Sequence, residues 1–290
     1  MSFSQILQVM FPILFISALG YLYARLNRTE PQVLSNIIIY LTIPALFFNS
    51  FYKHRLILIE LPIIFLTLIL IMLGTFILVY ILKKVLKLPL MLYPTSLFMN
   101  SSFVGFPVML LAYGEAGLMR AISYDFFNGI LIFTLGIYLA SQRKDLLEIF
   151  KFPFIYAALL GLTFNLTGLH LPATLIKSIE MLGGITIPLA LLMLGFRLST
   201  TRIKSLALPL LSSVLRMGLG ALIAYLAVLL FKIDGLLAKS LIVMSTLPSA
   251  FMGLVLAERY KKDEDFTASA IALCTLLSIF TIPLLLWILK

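Results

Sequence analysis

The chain alternates between long apolar runs and short polar connections. Each run approaches the roughly 20 residues that a helix needs to cross the hydrocarbon core of a bilayer. The first run has no basic residue before it, so it predicts a first span rather than a signal peptide. The pattern predicts about ten membrane-spanning helices, over residues 5–24, 33–52, 57–82, 89–113, 118–140, 152–170, 174–196, 206–231, 237–258 and 266–289.

The composition indicates a membrane protein and excludes a soluble one. Of the 290 residues, 62% are hydrophobic and 12% are charged, and the mean hydropathy is +1.11. A soluble domain is about half apolar and about a quarter charged, so a soluble chain of this composition could not cover its surface with polar groups. The net charge of +10 does not indicate nucleic acid, because the basic residues lie between apolar runs and report membrane topology. The expected surrounding partner is the lipid bilayer.

The basic residues predict the orientation of the helices. Most of them lie in the odd-numbered loops, which the positive-inside rule places in the cytoplasm, with both termini outside. The odd-numbered loops carry Arg25, Arg28, Lys83, Lys84, Lys87, Arg143, Lys144, Lys151, Arg197, Arg202, Lys204, Arg259, Lys261 and Lys262. The even-numbered loops and the termini carry Lys53, Arg55, Arg120, Lys177, Lys232, Lys239 and Lys290.

Short motifs recur in the same order in the two halves of the chain. The matches, displaced by about half the chain length, are Phe11-Pro12 with Phe152-Pro153, Thr42-Ile43-Pro44 with Thr186-Ile187-Pro188, Met99 with Met244, and Ile132-Phe133-Thr134 with Ile279-Phe280-Thr281. Each half holds an odd number of spans, so the second half enters the membrane from the opposite side. The sequence therefore predicts two inverted five-helix repeats, 1–145 and 146–290, which is typical of secondary transporters.

Proline, glycine and small polar residues interrupt the fourth and ninth runs at corresponding places. Unwound backbone inside a membrane is tolerated only within protein or around a wet cavity. One such break would indicate a plain proline kink, but two in matching positions of a repeat point to a transport site. The predicted substrate-binding residues are Asn100, Ser101, Ser102, Gly105 and Pro107 in the fourth helix, and Thr246, Pro248, Ser249 and Met252 in the ninth.

The chemistry of the two breaks favours an anionic substrate. We expect one half-helix to begin near Pro107 and another near Pro248, each directing free N–H groups and a positive dipole end at the membrane centre. Neither break contains Asp or Glu, which a carrier of cations or protons would be expected to place there. The amide and hydroxyl groups of the breaks suit the oxygens of a carboxylate.

A second set of residues is expected to support the site. Arg216 lies near the middle of the eighth run, where a charge is costly and usually faces the bundle interior. It either binds substrate or acts as a fixed structural cation paired with Asp125, which lies clearly within a span. The remaining supporting residues form two symmetric pairs that kink helices facing the site or help them pack, Thr42 with Pro44 and Thr186 with Pro188.

The chain shows no pattern that predicts an enzyme, a metal site or a cofactor. Its one cysteine, Cys274, excludes an internal disulfide and any cysteine-rich metal site. His54 and His170 lie far apart near the ends of runs and are expected to be interfacial side chains. No paired acids or Cys/His groups occur within the spans, so an intramembrane enzyme is a poor alternative; a receptor or channel is excluded only by analogy with repeat-built carriers.

At these residues the chain resembles the auxin efflux carrier family. The matching stretches cover essentially the whole chain, at 11–21, 41–47, 100–107, 113–117, 124–128, 187–195, 247–250 and 256–260. The resemblance implies ten helices in two inverted repeats, with broken helices 4 and 9 crossing at the midplane. It also implies a scaffold of helices 1, 2, 6 and 7 and a moving, elevator-like transport domain of helices 3–5 and 8–10.

The family carries organic anions, such as auxin in plants and dicarboxylates such as malate or malonate in bacteria, and often has an asparagine at the crossing in both halves. Asn100 matches the first asparagine, whereas Met252 stands at the second. The short connection 141–151 replaces the long cytoplasmic loop of the plant proteins and suggests a minimal bacterial form, in the inner membrane. A homodimer stays an open alternative.

The sequence thus predicts a secondary transporter that moves a small organic anion by alternating access. The nearest rival is a sodium-coupled symporter of the bile-acid type, which shares the crossed-helix architecture. That rival needs carboxylates near the crossing, and none is expected there. Stimulation of uptake by sodium would favour it.

Overall fold

The computed structural model describes residues 2–27, 31–53, 57–141 and 146–289. Over these ranges the chain is helical and contains no β-strand, which confirms the predicted all-helical class. Seven helices in these ranges are long and apolar enough to cross a membrane: Phe3–Asn27, Gln32–Lys53, Ile59–Val85, Ser101–Ser141, Ala173–Thr200, Ala207–Leu230 and Glu264–Ile288. Of the residues singled out above, Arg28, His54, Arg55, Arg143, Lys144 and Lys290 lie outside the described residues.

Kinks, breaks and loops divide the described chain into helical segments, labelled α1 to α15 in chain order. Their bounds are α1 Phe3–Asn27, α2 Pro31–Ile37, α3 Ile43–Lys53, α4 Ile57–Val85, α5 Leu92–Leu97, α6 Phe106–Leu131, α7 Ile137–Ser141, α8 Pro153–Thr167, α9 Ala173–Gly184, α10 Thr186–Thr200, α11 Ala207–Val214, α12 Gly220–Leu230, α13 Gly235–Ser245, α14 Met252–Tyr260 and α15 Glu264–Ile288. Four π-helical turns also occur in the described ranges, at Ile38–Thr42, Ser101–Gly105, Ile132–Gly136 and Leu215–Leu219.

Gly114 divides α6 into two helical stretches. Its backbone has φ 66° and ψ −161°, a conformation that glycine adopts at little cost. The sequence places the boundary between its fourth and fifth predicted spans at the same point. The chain therefore leaves the first stretch of α6 and enters the second through a sharp turn rather than a smooth kink.

Glycines allow two helix pairs to approach closely. A Cβ atom at Gly195 of α10 would overlap the carbonyl group of Ser17 in α1, and one at Gly20 would overlap the backbone of Leu192. In the same way Gly161 lets α8 lie against the backbone of Phe48 in α3. Small residues at such contacts are characteristic of helix packing in membranes. There the hydrophobic effect does not drive helices together, and van der Waals contact between closely packed backbones stabilises the pair instead.

The helices pack in two groups. The first holds α1 against α10 and α3 against α8 and α9. The second holds α4 against α6 and α12, α13 against α12, and α11 against α15. The π turn Ser101–Gly105 packs on α10, so the fourth predicted helix lies where the two groups meet.

The repeated Thr-Ile-Pro motifs lie at matching interruptions. Thr42 ends the π turn Ile38–Thr42, and Pro44 follows in the first turn of α3. Thr186 and Pro188 lie in the first turn of α10, directly after α9 ends. Proline is tolerated in a first turn, where its missing N–H has no helical partner. Both motifs therefore place proline where a helical segment begins, and their predicted role in kinking or packing stays a prediction.

Candidate functional site

The two predicted breaks pair with each other through their backbones. Met99 and Ser249 form an antiparallel bridge in which the N–H of Asn100 donates to Pro248 at 2.8 Å and that of Ala250 donates to Phe98 at 3.0 Å. Each unwound segment thereby satisfies backbone groups of the other, as a low-dielectric interior requires. In this pairing Asn100 lies opposite Pro248, and Met252 lies at the start of α14, two residues after Ala250.

After the first break the π turn begins at Ser101, and α6 follows at Phe106 with Pro107 in its first turn, near the expected start. After the second break α14 begins at Met252, four residues beyond the expected Pro248. Pro248 lies within the extended bridge, where its carbonyl accepts a hydrogen bond. The first N–H groups of a helix lack α-helical partners. At the second half-helix those of Gly253 and Leu254 donate to Ala250 and Phe251, which leaves Met252 as the donor at its first position.

A cavity of about 80 Å³ opens beside the bridge. A water molecule needs roughly 10–15 Å³ of such cavity volume. The cavity therefore has room for a few waters or a small ligand. The residues that line it are Ile39, Ile43, Met99, Asn100, Ser101, Ser102, Phe103, Asp125, Asn128, Gly129, Ile132, Phe133, Phe154, Ala250, Phe251 and Met252.

Four of the nine predicted binding residues line this cavity, namely Asn100, Ser101, Ser102 and Met252. The other predicted residues lie near the crossing but have structural contacts. The Ser249 hydroxyl donates to the carbonyl of Thr95 at 2.6 Å, and that of Thr246 donates to Ile242 at 2.7 Å. The remaining three do not line the cavity: Gly105, which faces the side chains of Leu247 and Met244, Pro107 and Pro248.

Asp125 lies in the cavity and contacts the first break. Its carboxylate accepts hydrogen bonds from the hydroxyls of Ser101 and Ser102, the latter at 2.7 Å. The expectation that no carboxylate lies near the crossing is therefore wrong, because it considered only the residues of the breaks themselves. The second stretch of α6 brings this acid to the break from the next predicted span.

Asn128 is a site residue that the sequence-based prediction omits. It lies three positions after Asp125 and so shares a helix face with it. Its Nδ2 donates to the Met99 carbonyl at 2.9 Å and to Ser101 Oγ at 2.8 Å, which holds the unwound segment in place. The spacing of Asp125 and Asn128 on one helix face was the available signal.

Two buried polar atoms in the cavity lack a hydrogen-bond partner within the described part of the chain. They are Nδ2 of Asn100, a donor, and Oδ1 of Asn128, an acceptor. Both residues are almost completely buried. A buried polar group without a partner costs roughly 1–3 kcal/mol, so these atoms are positions where a polar ligand would gain free energy.

Arg216 is fully buried and does not pair with Asp125, which corrects the predicted ion pair. Its guanidinium instead donates to the carbonyls of Leu97 at 2.7 Å, Ser96 at 3.2 Å and Ser245 at 2.5 Å. These carbonyls end α5 and α13, the two half-helices that lead into the breaks. A cation there complements the negative ends of both helix dipoles. Arg216 does not line the cavity, so its contacts fit the structural alternative.

The remaining supporting residues do not line the cavity. The Thr42 hydroxyl reaches the carbonyl of Ile38 at 3.5 Å, and its neighbour Ile43 lines the cavity. Thr186 is fully buried, and its hydroxyl has no partner within the described residues. No group of three or more His, Cys, Asp or Glu side chains that could hold a metal ion occurs in the described ranges.

Comparisons with known proteins identify the family of the chain. The profile of a family described as "Membrane transport protein" matches residues 5–145 and 137–286. The chain is 30% identical to an uncharacterized transporter of Methanocaldococcus jannaschii over 98% of both chains. It is also 33% identical to an uncharacterized transporter of Methanothermobacter thermautotrophicus over 64% of this chain and 63% of that one. The chain therefore belongs to the membrane transport protein family, which is auxin efflux carrier-like, and it is a membrane transporter rather than an enzyme.

Proposed function

We propose that the protein is a secondary transporter that binds a small organic anion in the cavity beside the Met99–Ser249 bridge. The observation that carries this proposal is Nδ2 of Asn100, a buried donor that has no partner among the described residues and belongs to a residue that lines the cavity. The N-terminal ends of the half-helices at Ser101 and Met252 add backbone donors and positive dipole ends. A carboxylate is the ligand that uses both kinds of donor.

The proposed architecture is ten spans in two inverted repeats, 1–145 and 146–290. It counts α5 with the first stretch of α6 as span four, and α13 with α14 as span nine. The antiparallel pairing of Met99 with Ser249 supports it, since a two-fold relation between repeats would bring the same point of each half together. The exposed apolar side chains of α1, α4 and α12 support contact with the bilayer. The membrane is the cell's plasma (inner) membrane, with both termini outside.

The proposed mechanism is alternating access by movement of one helix group against the other. The group of α1, α3, α8, α9 and α10 serves as the scaffold, and the remaining spans carry the crossing. The cavity supports this division, because Phe154 of α8 and Ile43 of α3 face Asn100 and Ser102 across it. A substrate in the cavity would therefore contact both groups.

A thermal-shift screen of the purified protein tests the proposal. The probes are malonate, malate and indole-3-acetate, with choline and glucose as cationic and neutral controls. A ligand that binds the folded state stabilises it according to its concentration and affinity, so at least one acid should raise the melting temperature and the controls should not. Stabilisation by choline alone would reject an anion site.

The second candidate is a sodium-coupled symporter of the same fold. The contact of Asp125 with Ser101 and Ser102 favours it, since carboxylate and hydroxyl oxygens are hard ligands of the kind that a sodium ion prefers. Uptake into proteoliposomes that requires an inward sodium gradient would establish this candidate. Uptake that is equal in sodium and potassium buffers would reject it.

A further inference from the structure

We propose that Asp125 binds a proton that crosses the membrane together with the organic anion, so that the transporter is a proton–anion symporter. This inference rests on the proposed function. The observations that carry it are the position of Asp125 in the wall of the substrate cavity and the neutral character of every described group that faces its carboxylate.

The groups around the carboxylate come from α6, from the π turn before it and from the other walls of the cavity. The π turn before α6 contributes the hydroxyls of Ser101 and Ser102, and α6 itself contributes Asn128 one turn further on. Across the cavity lie aromatic and aliphatic side chains and the amide of Asn100. None of these groups carries a charge.

None of the charged and titratable residues on the other helices packed against α6 lines the cavity, and Asp125 is the one such residue of α6 that does. Arg120 of α6 pairs with Glu60 of α4 at 2.5 Å. Other charged or titratable residues near α6 also contact groups away from the cavity: Lys83 and Lys84 of α4 lie against Tyr93 and Tyr80, Lys53 of α3 pairs with Glu180, Arg25 of α1 lies against Tyr21, Arg197 of α10 contacts Ser35, Tyr124 of α6 contacts Ser245, and Arg216 contacts backbone carbonyls. Lys239 of α13 lies outside the cavity wall.

A substrate anion in this cavity would lie beside Asp125 with no cation between them. Two like charges that share a low-dielectric site do not both stay ionised, and one of the two groups takes up a proton. The anion and an ionised Asp125 therefore exclude each other, whereas the anion and a protonated Asp125 are compatible. This exclusion is the physical basis of coupling.

The contacts favour a proton over a sodium ion. Ser101 Oγ already donates to Asp125 and accepts from Asn128, and the Met99 carbonyl accepts from Asn128. The oxygens of Ser101 and Met99 thus already accept hydrogen bonds, and they do not converge on one point where a sodium ion could bind. A proton needs only the carboxylate oxygen.

The proposed step moves one proton and changes only O–H and hydrogen bonds. The proton adds to Oδ2 of Asp125 and turns this acceptor into a hydroxyl donor. The new O–H donates to Ser102 Oγ, so the hydroxyl hydrogen of Ser102 turns away from Asp125 and donates to the substrate carboxylate. Nδ2 of Asn100 supplies a second donor. After release of the anion the proton leaves Oδ2, and the Ser102 hydroxyl again donates to Asp125.

Infrared difference spectroscopy tests the proton site without any substrate. Acidification of the parent protein in lipid should produce the carbonyl stretch of a protonated carboxyl group. The other carboxyl groups of the chain also contribute to this band, so the Asp125 signal is the part that is missing from Asp125→Asn and kept in Glu60→Gln, whose parent residue is ion-paired away from the cavity. An Asp125→Asn spectrum identical to that of the parent would overturn the proposal.

Uptake of radiolabelled malonate, malate or indole-3-acetate by proteoliposomes tests the coupling. An inward proton gradient should stimulate uptake by the parent. Asp125→Asn should lose this stimulation, whereas Glu60→Gln, which lies away from the cavity, should keep it. Asp125→Glu, which retains the carboxyl group, should recover the stimulation and so separates coupling from a folding defect.

The outcomes distinguish this inference from the function on which it rests. If an acid binds but its uptake does not depend on the proton gradient, or depends on a sodium gradient instead, proton coupling is overturned. Anion transport would still be supported by that result. Failure of the parent to bind or take up any of the acids would reject the proposed anion transport, while the infrared band would still decide whether Asp125 takes up a proton.

Discussion

The Arg216 guanidinium donates a 2.5 Å hydrogen bond to the carbonyl oxygen of Ser245, where α13 ends at the second break. The same side chain donates to Leu97, where α5 ends at the first break. One buried cation thus holds the ends of two helices that are far apart in sequence. The carbonyls it contacts have no helical partners of their own.

We expect Arg216→Met to destabilise the protein by about 2–5 kcal/mol, because several buried carbonyls would lose a charged donor. Thermal unfolding in detergent measures the effect. The matched control is Arg202→Met, at an exposed position, which should melt with the parent. Equal melting of both variants would contradict the structural role of Arg216.

We expect Asn100→Leu to weaken acid binding about 10- to 150-fold, since a lost hydrogen bond to a charged ligand costs roughly 1.5–3 kcal/mol. The substitution keeps similar bulk and removes the free Nδ2. Asn100→Asp should bind more weakly still, because it adds a like charge beside an anion. Affinity is measured by titration of the acid found in the screen.

The matched control is Asn36→Leu, at an exposed position on α2, where affinity should not change. Folded Asn100 variants that bind the acid as tightly as the parent would reject the cavity as the binding site.

Phe154→Ala should change which acids bind. Phe154 of α8 lines the cavity and also packs on Phe47 and Phe133. Its truncation should cost about 3–5 kcal/mol of stability and enlarge the cavity, so affinity should shift from malonate toward bulkier acids such as indole-3-acetate. Phe164→Ala on the same helix, which packs on Phe48 and Tyr52 outside the cavity, should lose stability without a change in preference.

Gly195→Ala should separate α1 from α10, because the added Cβ would overlap the Ser17 carbonyl. Overpacking of a tight contact typically costs about 1–3 kcal/mol. Gly184→Ala provides the control, since a Cβ there meets no atom within 4 Å. Melting curves that coincide for the two variants would show that the close approach of α1 and α10 is not required.

Both chain termini should be accessible from outside the cell, as the proposed ten spans require. Tags at each end, or single-cysteine labels in a Cys274→Ser background, should react with an impermeant reagent in intact cells. A label between residues 142 and 145 should react only after the membrane is opened. Termini on opposite sides would remove the ten-span arrangement and the inverted repeat together.

The breaks and their pairing were predictable from the sequence, but the roles of their side chains were only partly so. Repeated interruptions led to Asn100, Ser101 and Ser102, because proline and small polar residues at matching points of two apolar runs are characteristic of a transport site. The same argument also selected Thr246 and Ser249, whose hydroxyls donate to backbone carbonyls. Composition does not show whether a hydroxyl faces a cavity or its own helix.

The rest of the cavity depends on packing between distant parts of the chain. Asp125 and Asn128 share a helix face, but only the turn at Gly114 brings that face back to the first break. Phe154 joins them from the other half of the chain. The sequence indicated a buried acid and a buried arginine, and it paired them by charge; the structure shows that backbone carbonyls and hydroxyls satisfy each one separately.

The Met99–Ser249 bridge also constrains the order in which the molecule is made. The Asn100 N–H has its partner at Pro248, so the ribosome must synthesise most of the second half before the first break can be completed. Until then the N–H of Asn100 and the carbonyl of Phe98 lack the partners that Pro248 and Ala250 provide, a costly condition in lipid. We therefore expect the first half expressed alone to be degraded in cells, and co-expression with the second half to rescue it.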